Sequence, residues 1–130
     1  MKIGELAKRS GCSVQTIRYY EKEGLLSSTA RSEGNFRLYD ERAEERLMFI
    51  KRCRSLDLSL TEVKHLLALS QEPNSACDKV NQIVDRHIQQ VEDRITELQG
   101  LHRQLRGLRG HCAENLTVEQ CGIIKGLKEH

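Results

Sequence analysis

A chain of 130 residues with 31% charged side chains has room for one compact domain plus an extension, not for two large domains. No apolar run reaches the roughly 18 residues of a membrane-spanning helix, and no apolar leader with a cleavage site opens the chain, so neither a membrane partner nor export is expected. The net charge of +2 is small, but residues 1 to 54 hold 12 Lys and Arg against 8 acids, a local excess that permits DNA binding without demanding it.

Ile3, Leu6 and Ala7 share one face of a helix over residues 3 to 10, and Gly11 stands where a left-handed residue would end it. Ser13 then caps a second helix, Val14 to about Lys22. It buries Val14 and Ile17, leaves Gln15, Thr16, Arg18 and Tyr19 on its other faces, and stops at Gly24. Two short helices about a glycine-containing turn are a helix-turn-helix pattern, although any small helical hairpin gives the same signal. From Thr29 to Tyr39 the sequence T-A-R-S-E-G-N-F-R-L-Y places Gly34 and Asn35 in a turn and alternates Phe36 and Leu38 against Arg37 and Tyr39, which predicts a hairpin wing. Arg31 and Arg37 flank that turn, where a guanidinium beside a recognition helix is placed to grip phosphate. A third helix follows Asp40 and runs to about Leu56, burying Ala43, Leu47, Ile50 and either Cys53 or Arg54. Ser59 with Glu62 forms a capping box for a fourth, containing Leu60, Val63, Leu66, Leu67 and Leu69. This second helical pair spans about 41–70.

The stretch Gln71 to Ser75 holds the only proline, Pro73, and breaks the chain before a fifth helix capped by Asn74 or Ser75. That helix carries Val80, Val84, Ile88, Val91, Ile95, Leu98, Leu101, Leu105 and Leu108 close to the three and four spacing of a coiled-coil seam. A stripe this long on an extension exceeds what a small amino-terminal core can cover, so self-pairing is expected, with Val84, Ile88, Val91, Ile95, Leu98 and Leu105 at the dimer contact. His102 interrupts the seam as a polar register residue.

Cys77 falls just inside the start of this helix, and Cys112 and Cys121 just past its end. At 1.5 Å per residue the 35 positions from Cys77 to Cys112 would separate their sulfurs by roughly 50 Å, whereas the ligands of one soft metal sit about 2.3 Å from it. One chain cannot join them. An antiparallel homodimer brings Cys77 of each subunit to Cys112 and Cys121 of the other and makes two equivalent sites. Five cysteines in a chain with no export signal fit a reducing cytoplasm, where thiols are free to bind metal. Thiolate is the softest protein ligand, and three of them suit Pb(II), Hg(II) or Cd(II). Zn(II) would take a fourth ligand, for which His111, Glu114, Asn115 and Asp78 are candidates, and a purely structural zinc is the alternative use of the triplet. Cys12 and Cys53 read as small buried residues of the amino-terminal core. No C-x-x-C pair occurs, which argues against a thiol oxidoreductase and against an enzyme generally, while a redox switch closing a Cys112–Cys121 disulfide is the nearer alternative.

The run I-G-E-L-A-K-R-S-G-C-S-V-Q-T-I-R-Y-Y-E-K-E-G-L-L, then R-S-E-G-N-F-R-L-Y, then F-I-K-R-C-R-S-L-D-L-S-L-T-E-V, resembles the mercury-resistance-regulator (MerR) family of bacterial transcription factors over nearly the whole chain. Cys77, the pair Cys112-x8-Cys121 and the segment C-G-I-I-K-G-L resemble the lead-responsive (PbrR) branch, near the cadmium-responsive (CadR) one. The resemblance implies a mainly α fold: a winged helix-turn-helix DNA-binding domain (1–75), a long antiparallel coiled-coil dimerisation helix (76–110), and a metal-binding loop with a short C-terminal helix (111–130). It implies a cytoplasmic homodimer, nucleoid-associated when bound to double-stranded promoter DNA. That dimer represses without metal, and with metal it activates RNA polymerase at the promoter by bending and untwisting the DNA between promoter elements. By family position Gln15, Thr16, Arg18 and Tyr19 lie on or near the major-groove face, and Tyr20, Arg31, Arg37 and Tyr39 are further phosphate or groove candidates, with a packing role open for Tyr20 and Tyr39.

Overall fold

Helix α1 (Ile3–Ser10) ends as its punctuation requires: Gly11 takes φ 73°, and its N–H donates back to the Ala7 carbonyl at 3.0 Å. Residues 1–74, 76–112 and 116–129 of this computed structural model are described, in two compact units, Met1–Val80 and Asn81–His130. In the first unit Ser13 caps α2 (Val14–Lys22) by accepting the Thr16 N–H at 3.0 Å, and Gly24 follows with φ 79°. Lys51, from the helix α3 (Glu41–Ser55) that packs behind, donates Nζ to the Ser10 carbonyl at 2.8 Å and so fixes the turn between α1 and α2.

The wing is short. Strands β1 (Ala30–Arg31) and β2 (Arg37–Leu38) pair antiparallel, Ala30 opposite Leu38 and Arg31 opposite Arg37. Asn35, not Gly34, supplies the left-handed residue of the turn at φ 64°, a conformation that asparagine tolerates better than most side chains. Beyond the strands, the Met1 and Tyr39 backbones exchange hydrogen bonds at 2.7 and 2.8 Å, which ties β2 to the start of α1.

Asp40 caps α3 (Glu41–Ser55) by accepting the Ala43 N–H at 3.0 Å. The Ala43 N–H first of all holds the Asp40 carboxyl below the usual range; desolvation opposes it, and the Thr29 hydroxyl and the Arg42 N–H add to the lowering. Helix α4 (Leu60–Ser70) opens on the full capping box, Ser59 accepting from the Glu62 N–H at 3.1 Å while Glu62 accepts from the Ser59 N–H at 2.9 Å. Such a box adds about 1 kcal/mol to a helix of this kind. Between α3 and α4, Asp57 takes φ 65°, and Leu56, outside the helix, is 67% exposed. Cys53 rather than Arg54 faces inward, and the Arg54 guanidinium instead donates to the Leu58 carbonyl at 2.7 Å.

These elements close over Leu6, Ile17, Leu47, Ile50 and Val63, all at 0% exposure. Each contributes about 2–3 kcal/mol of apolar burial. Leu25, Leu26 and Leu58 join them from loops, outside any helical or strand period. Val14 and Cys12 are half-buried at the edge. Tyr20 and Tyr39 also lie in this core, Tyr39 at 2% exposure.

Helix α5 runs unbroken from Asp78 to Arg109, 32 residues. It begins one residue after Cys77, so that cysteine sits at the entry to the helix and not inside it, and Asn74 is too far upstream to cap it. Ser75, the other expected cap, lies outside the described residues. In the second unit a 3-10 turn (Val118–Gln120) leads into α6 (Gly122–Lys128). Leu101, Leu105, Leu108 and His111 of the α5 end line a groove with Gly126 and Leu127 of α6.

Candidate nucleic-acid interface and metal centre

Helix α2 presents Gln15, Arg18 and Tyr19 to solvent, Tyr19 at 49% exposure. Thr16 is half-buried because its hydroxyl lies 2.8 Å from the Ser13 Oγ, within the helix cap. Cross-strand pairing puts Arg31 beside Arg37 on the wing. The Arg31 Nη1 donates to the Asn35 carbonyl at 3.1 Å, and the Arg37 Nη1 to Glu21 Oε2 at 3.1 Å. Lys2, ahead of α1, holds its Nζ 4.5 Å from the centroid of the Phe36 ring. Lys2, Gly4, Arg18, Arg31, Phe36 and Arg37 line one concavity between the start of α1, α2 and the wing. Three guanidiniums and an ammonium, against the single carboxylate of Glu5, give the hollow a positive excess suited to a polyanion: each guanidinium has five donors and spends at most part of them within the protein.

Tyr39 also lines that hollow, although its ring is packed into the core and only 2% exposed, and Tyr20 is buried in the core as well. Burial leaves both rings little surface for groove contact. The Tyr39 hydroxyl donates to Glu21 Oε1. Burial first, and the Glu21 carboxylate second, push the Tyr39 phenol up to about 12, which keeps it a hydrogen-bond donor at all ordinary pH. Glu21 is the residue that sequence reasoning passed over. The alternation set Arg37 and Tyr39 on one strand face, but identifying a carboxylate on α2, 16 and 18 residues away, as the partner of both required the fold.

The seam residues of α5 remain open. Val84, Ile88, Val91, Ile95, Leu98 and Leu105 are between 42 and 65% exposed, a row of large apolar side chains along one helix. His102 is exposed beside them.

All five cysteines are free thiols. Cys77 is exposed at the entry to α5. In the second unit Cys112 and Cys121 come together: the Cys112 thiol donates to Cys121, which raises the former and lowers the latter. The Ile124 N–H at the start of α6 is the largest influence holding Cys121 below the usual thiol range, ahead of Cys112 itself. Gly122 makes this meeting possible, since any Cβ there would overlap the His111 carbonyl. Among the described residues, no three His, Cys, Asp or Glu side chains converge within one chain. Of the possible fourth ligands, Asp78 is the first residue of α5 and His111 is exposed at the α6 groove, while Glu114 and Asn115 lie outside the described residues. The donor set of two adjoining thiols fits a soft metal ion, and a third thiol would have to come from elsewhere. Among the described residues, no helix is long and apolar enough to cross a membrane.

Comparison with known proteins adds to this geometry. The family model described as "MerR HTH family regulatory protein" matches residues 1–70, and that described as "MerR, DNA binding" matches residues 44–108. A Haemophilus influenzae protein named "HTH-type transcriptional regulator ZntR homolog" is 47% identical over 115 residues, 88% of this chain and 85% of that protein. The crystal structure of the transcription regulator PbrR691 from Ralstonia metallidurans CH34 in complex with lead(II) is similar at TM-score 0.87 and 51% identity, covering 98% of each chain. That of a Bacillus megaterium MB1 regulator of the MerR type in complex with mercury(II) is similar at TM-score 0.72 and 30% identity, covering 98% of this chain and 99% of the other.

Proposed function

The chain belongs to the MerR family of helix-turn-helix transcriptional regulators, which are not enzymes, and from that premise we propose that it senses Pb(II) and switches a promoter in response. In this reading residues 1–75 bind promoter DNA, 76–110 pair two copies antiparallel, and 111–130 hold the metal. Gln15, Thr16, Arg18 and Tyr19 face the major groove, while Arg31 and Arg37 of the wing grip phosphate. Two wings and two α2 helices in a homodimer would address a near-palindromic operator.

The single observation that carries the metal reading is the meeting of the Cys112 and Cys121 thiols at the start of α6. With Cys77 of one protomer added to Cys112 and Cys121 of its partner, each of two sites has three sulfur donors, a set that favours a large soft ion. Lead is the first choice because the similarity to the lead-bound regulator extends over nearly all of both chains. Cd(II), Zn(II) and Hg(II) are the alternatives within the same site. A metal bound there supplies a cross-link between protomers. The chain's own part is to convert it: Cys77 precedes α5, the helix that leads out of the DNA-binding unit, so thiols engaged across the dimer favour one placement of the two DNA-binding units over another. Such a switch works only to the extent that metal affinity differs between the repressing and activating arrangements. The activating arrangement would distort the promoter so that RNA polymerase can use it.

The test is a promoter reporter exposed to Pb(II), Cd(II), Zn(II) and Hg(II) under strong reductant, repeated with Cys77→Ser, Cys112→Ser and Cys121→Ser. Induction that responds most strongly to Pb(II) and is lost in all three variants is expected. Induction by oxidant alone, abolished by reductant, would instead select a Cys112–Cys121 disulfide switch. Co-expression of Cys77→Ser with Cys112→Ser chains restores one intact site per heterodimer, and no recovery of metal binding there counts against the shared site.

A further inference from the structure

We propose that Glu21 is a positioning residue for DNA binding: through its ion pair with Arg37 it aims that guanidinium at the DNA backbone, while the Tyr39 hydroxyl on its other oxygen adds to the stability of the wing. The inference rests on the proposed role of Arg37 in gripping phosphate.

Glu21 stands at the end of α2, one helical turn past the exposed Arg18, on the side turned to the wing. Its side chain is only 12% exposed, and both its oxygens are taken, Oε2 by Arg37 Nη1 at 3.1 Å and Oε1 by the Tyr39 hydroxyl. The two donors are two residues apart, Arg37 in β2 and Tyr39 just past its end, and both reach the same carboxylate. One carboxylate thus joins the element that reads the groove to the element that flanks it. Arg37 remains 46% exposed and, although it is engaged by Glu21 and by the Tyr39 hydroxyl, its five donors leave several to meet a phosphate in a fixed orientation. An acid on a DNA-facing surface has an electrostatic cost, because it repels the phosphates that the surrounding bases attract. Its two hydrogen bonds to wing residues offset that cost by ordering the arginine before DNA arrives, which lowers the ordering entropy lost on binding.

The two roles of this carboxylate predict opposite signs. If Glu21 acts only as a charge near DNA, Glu21→Gln should tighten binding. If it positions Arg37, the amide removes the charge that holds the guanidinium and leaves one acceptor where two donors had two, so Arg37 is held less firmly and binding weakens. The probe is the tightest duplex recovered by selection with the wild-type full-length protein from a randomised pool, bound across a salt series. Glu21→Gln is expected to weaken binding on the order of tenfold and to flatten the salt slope by about 0.9 for each phosphate that Arg37 no longer neutralises. Arg37→Ala should match it, and the double variant should be no weaker than either alone. Tyr39→Phe, which removes the other donor to Glu21, should lower the melting temperature and leave the salt slope unchanged. All variants are compared at a temperature where circular dichroism shows them folded. Binding by Glu21→Gln as tight as or tighter than wild type, with Arg37→Ala weakened, overturns the positioning role and leaves the phosphate grip of Arg37 standing. An equal flattening in Tyr39→Phe overturns it by showing a general loosening of the wing. Arg37→Ala indistinguishable from wild type removes the phosphate grip and the inference together.

Discussion

A Cβ on Gly122 would meet the carbonyl of His111 at the end of α5, closer than atoms approach. Glycine therefore follows Cys121 for a spatial reason: it lets α6 start against the last turn of α5, which is how Cys121 reaches Cys112. Gly122→Ala should push the two sulfurs apart, leave the helical content of the protein intact, and weaken Pb(II) binding by about tenfold, a loss of the size seen when ligand-orienting residues are changed. Competition with a chromophoric chelator measures it, and an unchanged affinity would remove Gly122 from the site. Tyr39 gives a second expectation at this scale. Its phenol is raised from 10.0 in the unfolded chain to about 12 in the fold. The neutral form is thus favoured by folding, and the stability this adds is present below pH 10 and lost as pH rises through 12. Denaturation midpoints in that alkaline window should fall for the wild type and change less for Tyr39→Phe.

At the scale of elements, the parts governed by local rules were legible in the sequence. Gly11 and Gly24 end helices, Ser13 and the Ser59–Glu62 box start them, and the three and four spacing of α5 marks an apolar stripe, because each depends on residues within one or two turns. What depended on residues far along the chain was not. The burial of Tyr20 and Tyr39, the inward turn of Leu25, Leu26 and Leu58, and the Glu21 clamp all arise where separate elements pack. The nearness of Cys112 and Cys121 was expected from the sequence, which put both just past the end of α5, whereas the close His111–Gly122 approach beside them is encoded by no periodicity. The stripe itself leads to a prediction. Ile95, at 49% exposure, lies in the middle of the row. Ile95→Glu places a charge in the proposed seam and should yield a folded monomer by sedimentation, with operator binding weaker on the order of 100-fold because two half-sites are no longer bridged. A dimeric Ile95→Glu protein would mean that the copies pair elsewhere.

For the whole molecule, the separation of tasks is the main physical feature. The first unit holds the basic hollow and a complete small core of its own, and the second holds the paired thiols. With the core of the first unit closed around Leu6, Ile17, Leu47 and Ile50, the ion binding proposed at Cys112 and Cys121 would not have to disturb the fold of that unit. Changes to the cysteines should accordingly remove induction while sparing basal operator binding, the separation that the reporter series measures. The open stripe of α5 also ties the output to supply. In the proposed pairing each chain must find a second copy before an operator can be spanned, so at limiting protein the competent species grows as the square of protomer concentration. Halving the gene dosage would then cost about three quarters of that species, and the sharpness of the response becomes a property of expression level as much as of ion affinity.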